Sequence, residues 1–331
     1  MYIEKIKSGG KVKFYLSHSF REGSKVHKIR KYLGESLNSS ILAERKKKAE
    51  ELIFEEINRY KIIQDPLHKK LSVEEIKFIK SLEAKIDVRV THLSDEQWSA
   101  FSEIFTYNTN AIEGSELNSV EVKEIIEEDK WPDKSKADIA EAYGVNEALK
   151  FIRETKEPFS IELIEKLHYI IFKNSKSFAG KFRKIGEEVV VRNRLGEILH
   201  EGAPQTRVLS LLRELVKWYE ENQKHDSTNA RALDVREFGN SRHKEYPALI
   251  LACVVHNQFE NIHPFRDGNG RVGRLLLNYI LLRNKLPPVS INLKNRKEYY
   301  DALRAYDKEH NIRPMIELVL KEYKDLKKIL K

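Results

Sequence analysis

One cysteine, Cys253, stands among 331 residues, so no intrachain disulfide can form and a reducing compartment fits. Its place in the apolar run ALILACVV marks it as a small buried side chain rather than a nucleophile. No apolar stretch approaches the roughly 20 residues needed to cross a bilayer. The opening MYIEKIKSGG also lacks the apolar centre of a signal peptide. Together these absences predict a soluble cytoplasmic chain with no membrane partner. Internal repeats and low-complexity tracts are missing too. Acidic residues run short at one end only: residues 1–50 hold thirteen Lys and Arg against five Glu, which places +8 of the net +9 there. The rest of the chain is close to neutral and has no reason to seek a polyanion.

What is present is enough apolar material, 40% of residues, for real cores, at a length that suggests two domains. The boundary is placed between 90 and 91. Residues 2–34 mix β-branched and aromatic residues with polar ones around the turn signal REGS, which predicts a small sheet. Phe14, Tyr15, Phe20 and Tyr32 are assigned to that domain's own core. Residues 39–64 then turn helical until the DP at 65–66, and the basic run at 45–48 is read as its solvated side. A further helix is expected over 72–85. Ser94 with Gln97 three residues on forms a capping box before Trp98, Phe101 and Phe105. Helical patterns follow over 137–154, 160–174, 209–222, 246–261 and 271–284. They are interrupted by a β-hairpin of Val189, Val190 and Val191 against Ile198 and Leu199. The fold class is therefore mainly α with a small hairpin, preceded by a small basic α+β domain.

The stretch HPFRDGNGRVGR, residues 263–274, contains Gly268, Gly270 and Gly273 at the G-x-G-x-x-G spacing of a dinucleotide-binding turn. That turn requires a hydrophobic strand before the first glycine, whereas here a helix and Pro264 precede it. A P-loop is excluded as well, because G-x-x-x-x-G-K-[ST] is absent. What remains is a helix, a loop and a second helix whose first-turn amides form an anion site. Arg271 and Arg274 share a face of that helix and can add charge-assisted bonds to a polyphosphate. A bare carboxylate at Asp267 would repel such a ligand unless it holds a divalent cation, Mg²⁺ being the natural choice. His263 is placed to accept a proton from an attacking hydroxyl. The set fits phosphoryl or nucleotidyl transfer to a hydroxyl.

This stretch resembles the Fic family signature H-x-F-x-[DE]-G-N-G-R-x-x-R, matching at His263, Phe265, Asp267, Gly268, Asn269, Gly270, Arg271 and Arg274. The resemblance extends over about residues 95–320 and leaves out the first ninety. It implies a Fic-type helical core that transfers AMP from ATP to a Ser, Thr or Tyr hydroxyl of a target protein, with release of pyrophosphate. On that reading His263 deprotonates the hydroxyl and Asp267 binds Mg²⁺ between the α- and β-phosphates. Gly268, Asn269 and Gly270 would hold those phosphates with Arg271, Phe265 would anchor the loop, and Gly273 is incidental. Val189 to Val191 would form the flap strand that aligns the target segment by β-augmentation. Tyr299 and Tyr300 resemble the family's adenine-side tyrosines.

The family's inhibitory motif [ST]-x-x-x-E-[GN] is matched by TNAIEG, Thr109 to Gly114, on a helix expected near 105–120. By that resemblance Glu113 pairs with Arg274 and blocks the productive ATP pose. In some members the same glutamate supports removal of AMP. Family members of this class often self-associate, so a homodimer is an expected partner. Two alternatives stand beside this reading. One is Doc-like phosphate transfer, which retention of Gly270 disfavours. The other is a nucleic-acid-binding regulator using the basic N-terminal segment, which shows no helix-turn-helix signature and no clear stacking platform.

Overall fold

The computed structural model describes residues 1–8, 10–22, 25–64, 66–67, 71–84, 93–184, 186–187, 189–192, 198–223 and 246–329. The chain divides into two compact units, Met1–Asp65 and Pro66–Lys331. In the first, Tyr2–Ser8 (β1), Lys11–Glu22 (β2) and Lys25–Glu35 (β3) form an antiparallel sheet in that order. Helix α1 (Ser39–Gln64) packs on one face. Alternation along the strands sends Phe14, Leu16, Ile29 and Leu33 into a core closed by Ala49, Ile53 and Ile57 of α1. Phe20 is partly buried against it. Tyr15 and Tyr32, expected in that core, lie on the opposite face, where they pair across β2 and β3 with ring centroids 5.2 Å apart. A bulge between Phe14 and Tyr15 shifts the register there.

The second unit begins with α2 (Val73–Glu83), α3 (Asp95–Ile112), α4 (Ser119–Glu128), α5 (Lys136–Glu154) and α6 (Ile161–Phe172). A short hairpin follows, β4 (Val190–Arg192) and β5 (Ile198–Glu201), and then α7 (Val208–Asn222). The chain ends with α8 (Ala248–Ile262), α9 (Asn269–Arg283), α10 (Arg296–Glu309) and α11 (Arg313–Ile329). Unit and helix boundaries agree at α2, which belongs to the second unit rather than to a domain ending at 90. Glu75 of α2 pairs with Arg313, and Glu83 accepts the Leu249 N–H at 2.6 Å. The Ser94 capping box forms as expected, with Trp98, Phe101 and Phe105 buried behind it. The hairpin starts one residue later than expected. Val189 still joins it, accepting the Gly202 N–H at 3.0 Å, while the turn at 193–197 lies outside the described residues.

Within the second unit, α8 and α9 pack on each other and between them meet α2, α3, α5, α6, α7, α10 and α11. Every residue of α8 from Leu249 to Ile262 is buried, and so is almost all of α9 as far as Leu281. A helix buried on all sides should be apolar throughout. Yet α8 buries His256, Asn257, Gln258, Glu260 and Asn261, and α9 buries Asn269, Arg271, Arg274 and Asn278. Buried polar side chains need partners, and in these two helices the partners build a site.

Candidate active site

Helix α8 ends at His263, whose left-handed conformation (φ 52°) turns the chain out of the helix. Arg183 fixes that turn: its Nε donates to the His263 carbonyl at 2.8 Å and its backbone N–H to the Pro264 carbonyl at 3.0 Å. Phe265 drops into the core and stacks on His168, centroids 3.8 Å apart and planes 11° from parallel. His168 Nδ1 accepts the Gly180 N–H at 2.8 Å, so Nε2 carries the proton donated to the Asp267 carbonyl at 3.1 Å. Burial holds this imidazole neutral, down to about 4. Asn269 closes the loop with two bonds to Phe265, accepting its N–H at 2.8 Å and donating to its carbonyl at 2.9 Å. The Asn269 side chain is thereby committed to the loop. Gly268 occupies the N-cap of α9 at φ 84°, and a Cβ there would lie 2.2 Å from the Phe172 ring. No side chain caps α9, so its first-turn amides remain an anion site.

The titratable groups converge on that helix start. The Glu260 carbonyl accepts from His263 Nδ1 at 3.2 Å, which leaves Nε2 unprotonated and available as a base. Burial, then His200 and Arg183, hold His263 well below the ordinary imidazole value, so the ring is neutral at pH 7. Asp267 is half exposed, with Lys176 Nζ at 3.1 Å and Arg271 Nη2 at 3.8 Å. Burial opposes its ionisation, but Arg271 and Lys176 outweigh that and hold the carboxyl below its usual range. Arg271, buried over the Phe172 ring, pairs with Glu141. Among the described residues no three acidic, His or Cys side chains converge as a cation cage. A lone ionised carboxylate beside an anion site suits Mg²⁺, which takes one or two carboxylates and fills its other positions with phosphate oxygens and water. Asp267 fits that ion on these terms.

Arg274 is held chiefly from the end of α3 and its C-cap. Its Nε donates to Thr109 Oγ1 at 2.7 Å, Nη2 to the Thr109 carbonyl at 2.9 Å and to Glu113 Oε1 at 2.7 Å. Thr109 and Glu113 lie one turn apart on one face, and α3 stops directly after them. Gly114 (φ 99°) and Ser115 return N–H bonds of 3.1 Å to the Ala111 and Asn110 carbonyls. The spacing Thr-x-x-x-Glu-Gly is thus a clamp for one guanidinium with its helix stop attached. The Glu113 carboxylate also covers Gly270, where a Cβ would lie 2.1 Å from Oε1.

Behind Arg274 lies a buried layer that sequence reasoning did not find. Arg274 Nη1 donates to Tyr299 Oη at 3.2 Å, and that hydroxyl lies 3.2 Å from His256 Nε2. Tyr299 is 1% exposed and backs Arg274; Tyr300 is only half-buried, its hydroxyl 3.4 Å from the Ile112 carbonyl. Gly273, incidental to holding phosphates, matters to the packing. A Cβ there would lie 2.1 Å from Glu260 Oε1, so the glycine makes room for a carboxyl that burial pushes up to about 8, against the pull of Arg274. On the far side of His263, His200 of β5 sits with its ring 5.5 Å away and pairs through Nδ1 with Asp307 at 3.3 Å. His168, Lys176, Arg183, His200, Glu141 and Glu260 were all missed. The one signal for any of them was the polar content of α8.

Residues 158–281 match the family model described as Fic/DOC family. Protein adenylyltransferase fic-1 of Caenorhabditis briggsae is 29% identical over 229 residues, covering 66% of this chain and 39% of that protein. Protein adenylyltransferase Fic of Nematostella vectensis is 29% identical over 219 residues, 64% of this chain and 45% of that one. The chain therefore spans less than half the length of these curated relatives. Among solved structures, a Fic domain containing signaling protein from Bacteroides thetaiotaomicron shares the fold at a TM-score of 0.61 and 22% identity, covering 77% of this chain and 95% of that one.

Proposed function

We propose, from the premise that this chain belongs to the Fic/DOC family, that it is a protein adenylyltransferase moving AMP from ATP to a hydroxyl of a target protein. The observation that carries the reading is the meeting of a neutral His263, the uncapped start of α9 and two buried arginines on one helix–loop–helix. In the proposed reaction the target hydroxyl gives its proton to His263 Nε2 and its oxygen attacks the α-phosphorus. The bond to the β-phosphate oxygen breaks, and pyrophosphate leaves. Backbone amides of Asn269 and Gly270 would hold the phosphates with Arg271 beside them, joined by that of Gly268 once Asp267, which accepts the Gly268 N–H at 2.7 Å, turns to the ion. Asp267 would hold Mg²⁺, which supplies positive charge to the polyphosphate. An anionic nucleotide would also raise the pKa of His263 toward the working pH, where a base is most effective. The backbone of Val189, Val190 and Val191 would receive the target as an added strand.

Regulation belongs to the same proposal. With Arg274 held by Glu113 and Gly270 covered by the same carboxylate, the resting chain would admit the γ-phosphate poorly, and Glu113 would act as a brake. In the reverse direction that carboxylate would position water for AMP removal. Incubating the protein with ATP labelled at the α- or the γ-phosphate, in a cell lysate with Mg²⁺, tests the reaction class. Label from the α position alone supports AMP transfer. Label from the γ position alone would establish Doc-like phosphate transfer instead.

A further inference from the structure

The N-terminal sheet turns one face away from its own core. Strand β1 pairs only with Lys11–Ser17 of β2, whereas β3 pairs with β2 out to Glu22. Beyond Ser17, β2 and β3 therefore continue as a two-stranded ribbon past the edge of β1. Along the outer face of this ribbon and its base stand Lys13, Tyr15, Ser17, Ser19 and Arg21 of β2. Opposite them on β3 are Lys28 against Ser19, Arg30 against Ser17 and Tyr32 against Tyr15. The inner face is taken by the core with α1, and the outer face is open towards the ribbon's end and at β3: Tyr32 is 56% exposed and Val26, opposite Arg21, is 62% exposed, whereas Ser17 beside β1 is buried. Among the described residues two carboxylates interrupt the basic surface: Glu4, which pairs with Lys28 and with Arg30 Nε at 3.5 Å, and Glu35, opposite Lys13 in the ladder and paired with Lys11 at 2.7 Å. Residues 1–65 carry fifteen Lys and Arg against nine Asp and Glu.

We propose that this face binds duplex DNA, with the β2–β3 ribbon in the major groove and Lys13, Arg21, Lys28 and Arg30 on phosphates. A major groove about 12 Å wide admits a two-stranded ribbon, and phosphate contacts from basic residues on such a ribbon fix its seat. Ser19 and the two tyrosines, between the basic residues, supply hydroxyls at the height of base edges and sugars. A single strand is a poorer match. It asks for a row of open rings, and here Arg30 already lies 5.2 Å over the Tyr15 ring while Tyr32 packs against the same tyrosine. The sequence reading found no platform because it placed these tyrosines in the core; the structure turns them outward, beside the cations.

The test uses the full chain and a labelled mixed-sequence 20-base-pair duplex, with binding followed by fluorescence anisotropy from low to high KCl. Four phosphate contacts predict a slope of log affinity against log salt of about −3.6. The double variant Arg21→Ala/Arg30→Ala should weaken binding at least about tenfold and cut that slope by about two. Lys47→Ala/Lys48→Ala removes the same charge from exposed positions of α1 and should change affinity less than about threefold, and Glu4→Gln should tighten binding. Equal losses in the two double variants would overturn the assignment of the surface. Tighter binding to a single strand of the same sequence, or no salt-dependent binding at all, would overturn the proposal.

Discussion

Replacing Glu113 with glycine removes one carboxylate from two places at once, the Arg274 guanidinium and the face of Gly270. The ion pair spans 2.7 Å, with the Arg274 side chain 2% exposed and that of Glu113 30% exposed. A hydrogen bond between charged groups in such a setting contributes about 1.5–3 kcal/mol. At 1.4 kcal/mol per factor of ten, its loss raises the population able to accept the γ-phosphate roughly 10- to 150-fold. Arg274 keeps its bonds to Thr109 and Tyr299, so the guanidinium stays in place while its outward edge is freed. Glu113 sits at a helix C-cap in ordinary right-handed geometry (φ −83°), where glycine is tolerated. Initial rates of label incorporation from α-labelled ATP into lysate protein should rise by that factor. Glu113→Gln, which keeps the shape and loses the charge, should fall between. A Glu113→Gly rate within twofold of wild type, in a preparation where His263→Ala abolishes transfer, would refute the brake.

Other outcomes follow from the same geometry. Gly273→Ala places a methyl 2.1 Å from the buried Glu260 carboxyl and should lower stability by about 1–3 kcal/mol in denaturant melts. His168, neutral in the fold down to about 4, has an unfolded value near 6.5. The unfolded chain therefore binds the extra proton as pH falls, and stability present above pH 6.5 should be lost toward pH 4, by about 3 kcal/mol from this residue alone. Thermal midpoints across that range check it. His200→Gln removes an influence that holds His263 low, so the acid limb of the pH–rate profile should move to higher pH, whereas a merely structural loss would lower the rate at every pH. Asp267→Asn, or chelation of the wild type with EDTA, should reduce transfer by about 100-fold or more, and added Mg²⁺ should rescue only the chelated wild type.

Sequence patterns exposed the parts of this protein that repeat along the chain. β-Branched and aromatic residues around the REGS turn placed the N-terminal strands, helical periodicity and the Ser94 capping box placed most helices, and the spacing of residues 263–274 placed base, anion site and arginines on one loop. What the sequence hid is set across the chain rather than along it. The Glu141–Arg271 pair joins residues 130 positions apart, and the stacking of Phe265 on His168 depends on how α6 meets the loop. Both tyrosine surprises have one cause: burial follows from which neighbours close over a ring, whereas aromatic character alone assigned Tyr15 inward and left Tyr299 unassigned to Arg274. Asn269 shows the same limit. Its amide suits a phosphate as well as a backbone, and only the fold of the loop reveals that it clasps Phe265.

The central claim is that His263 and the start of α9 transfer the AMP moiety of ATP to protein. Glu113→Gly protein, with and without His263→Ala, incubated with lysate and Mg²⁺ and parallel samples of α- and γ-labelled ATP, tests it most directly. The account predicts protein-bound label from the α position only, lost when His263 is replaced. Label from the γ position only, or α-label that survives His263→Ala, would contradict it.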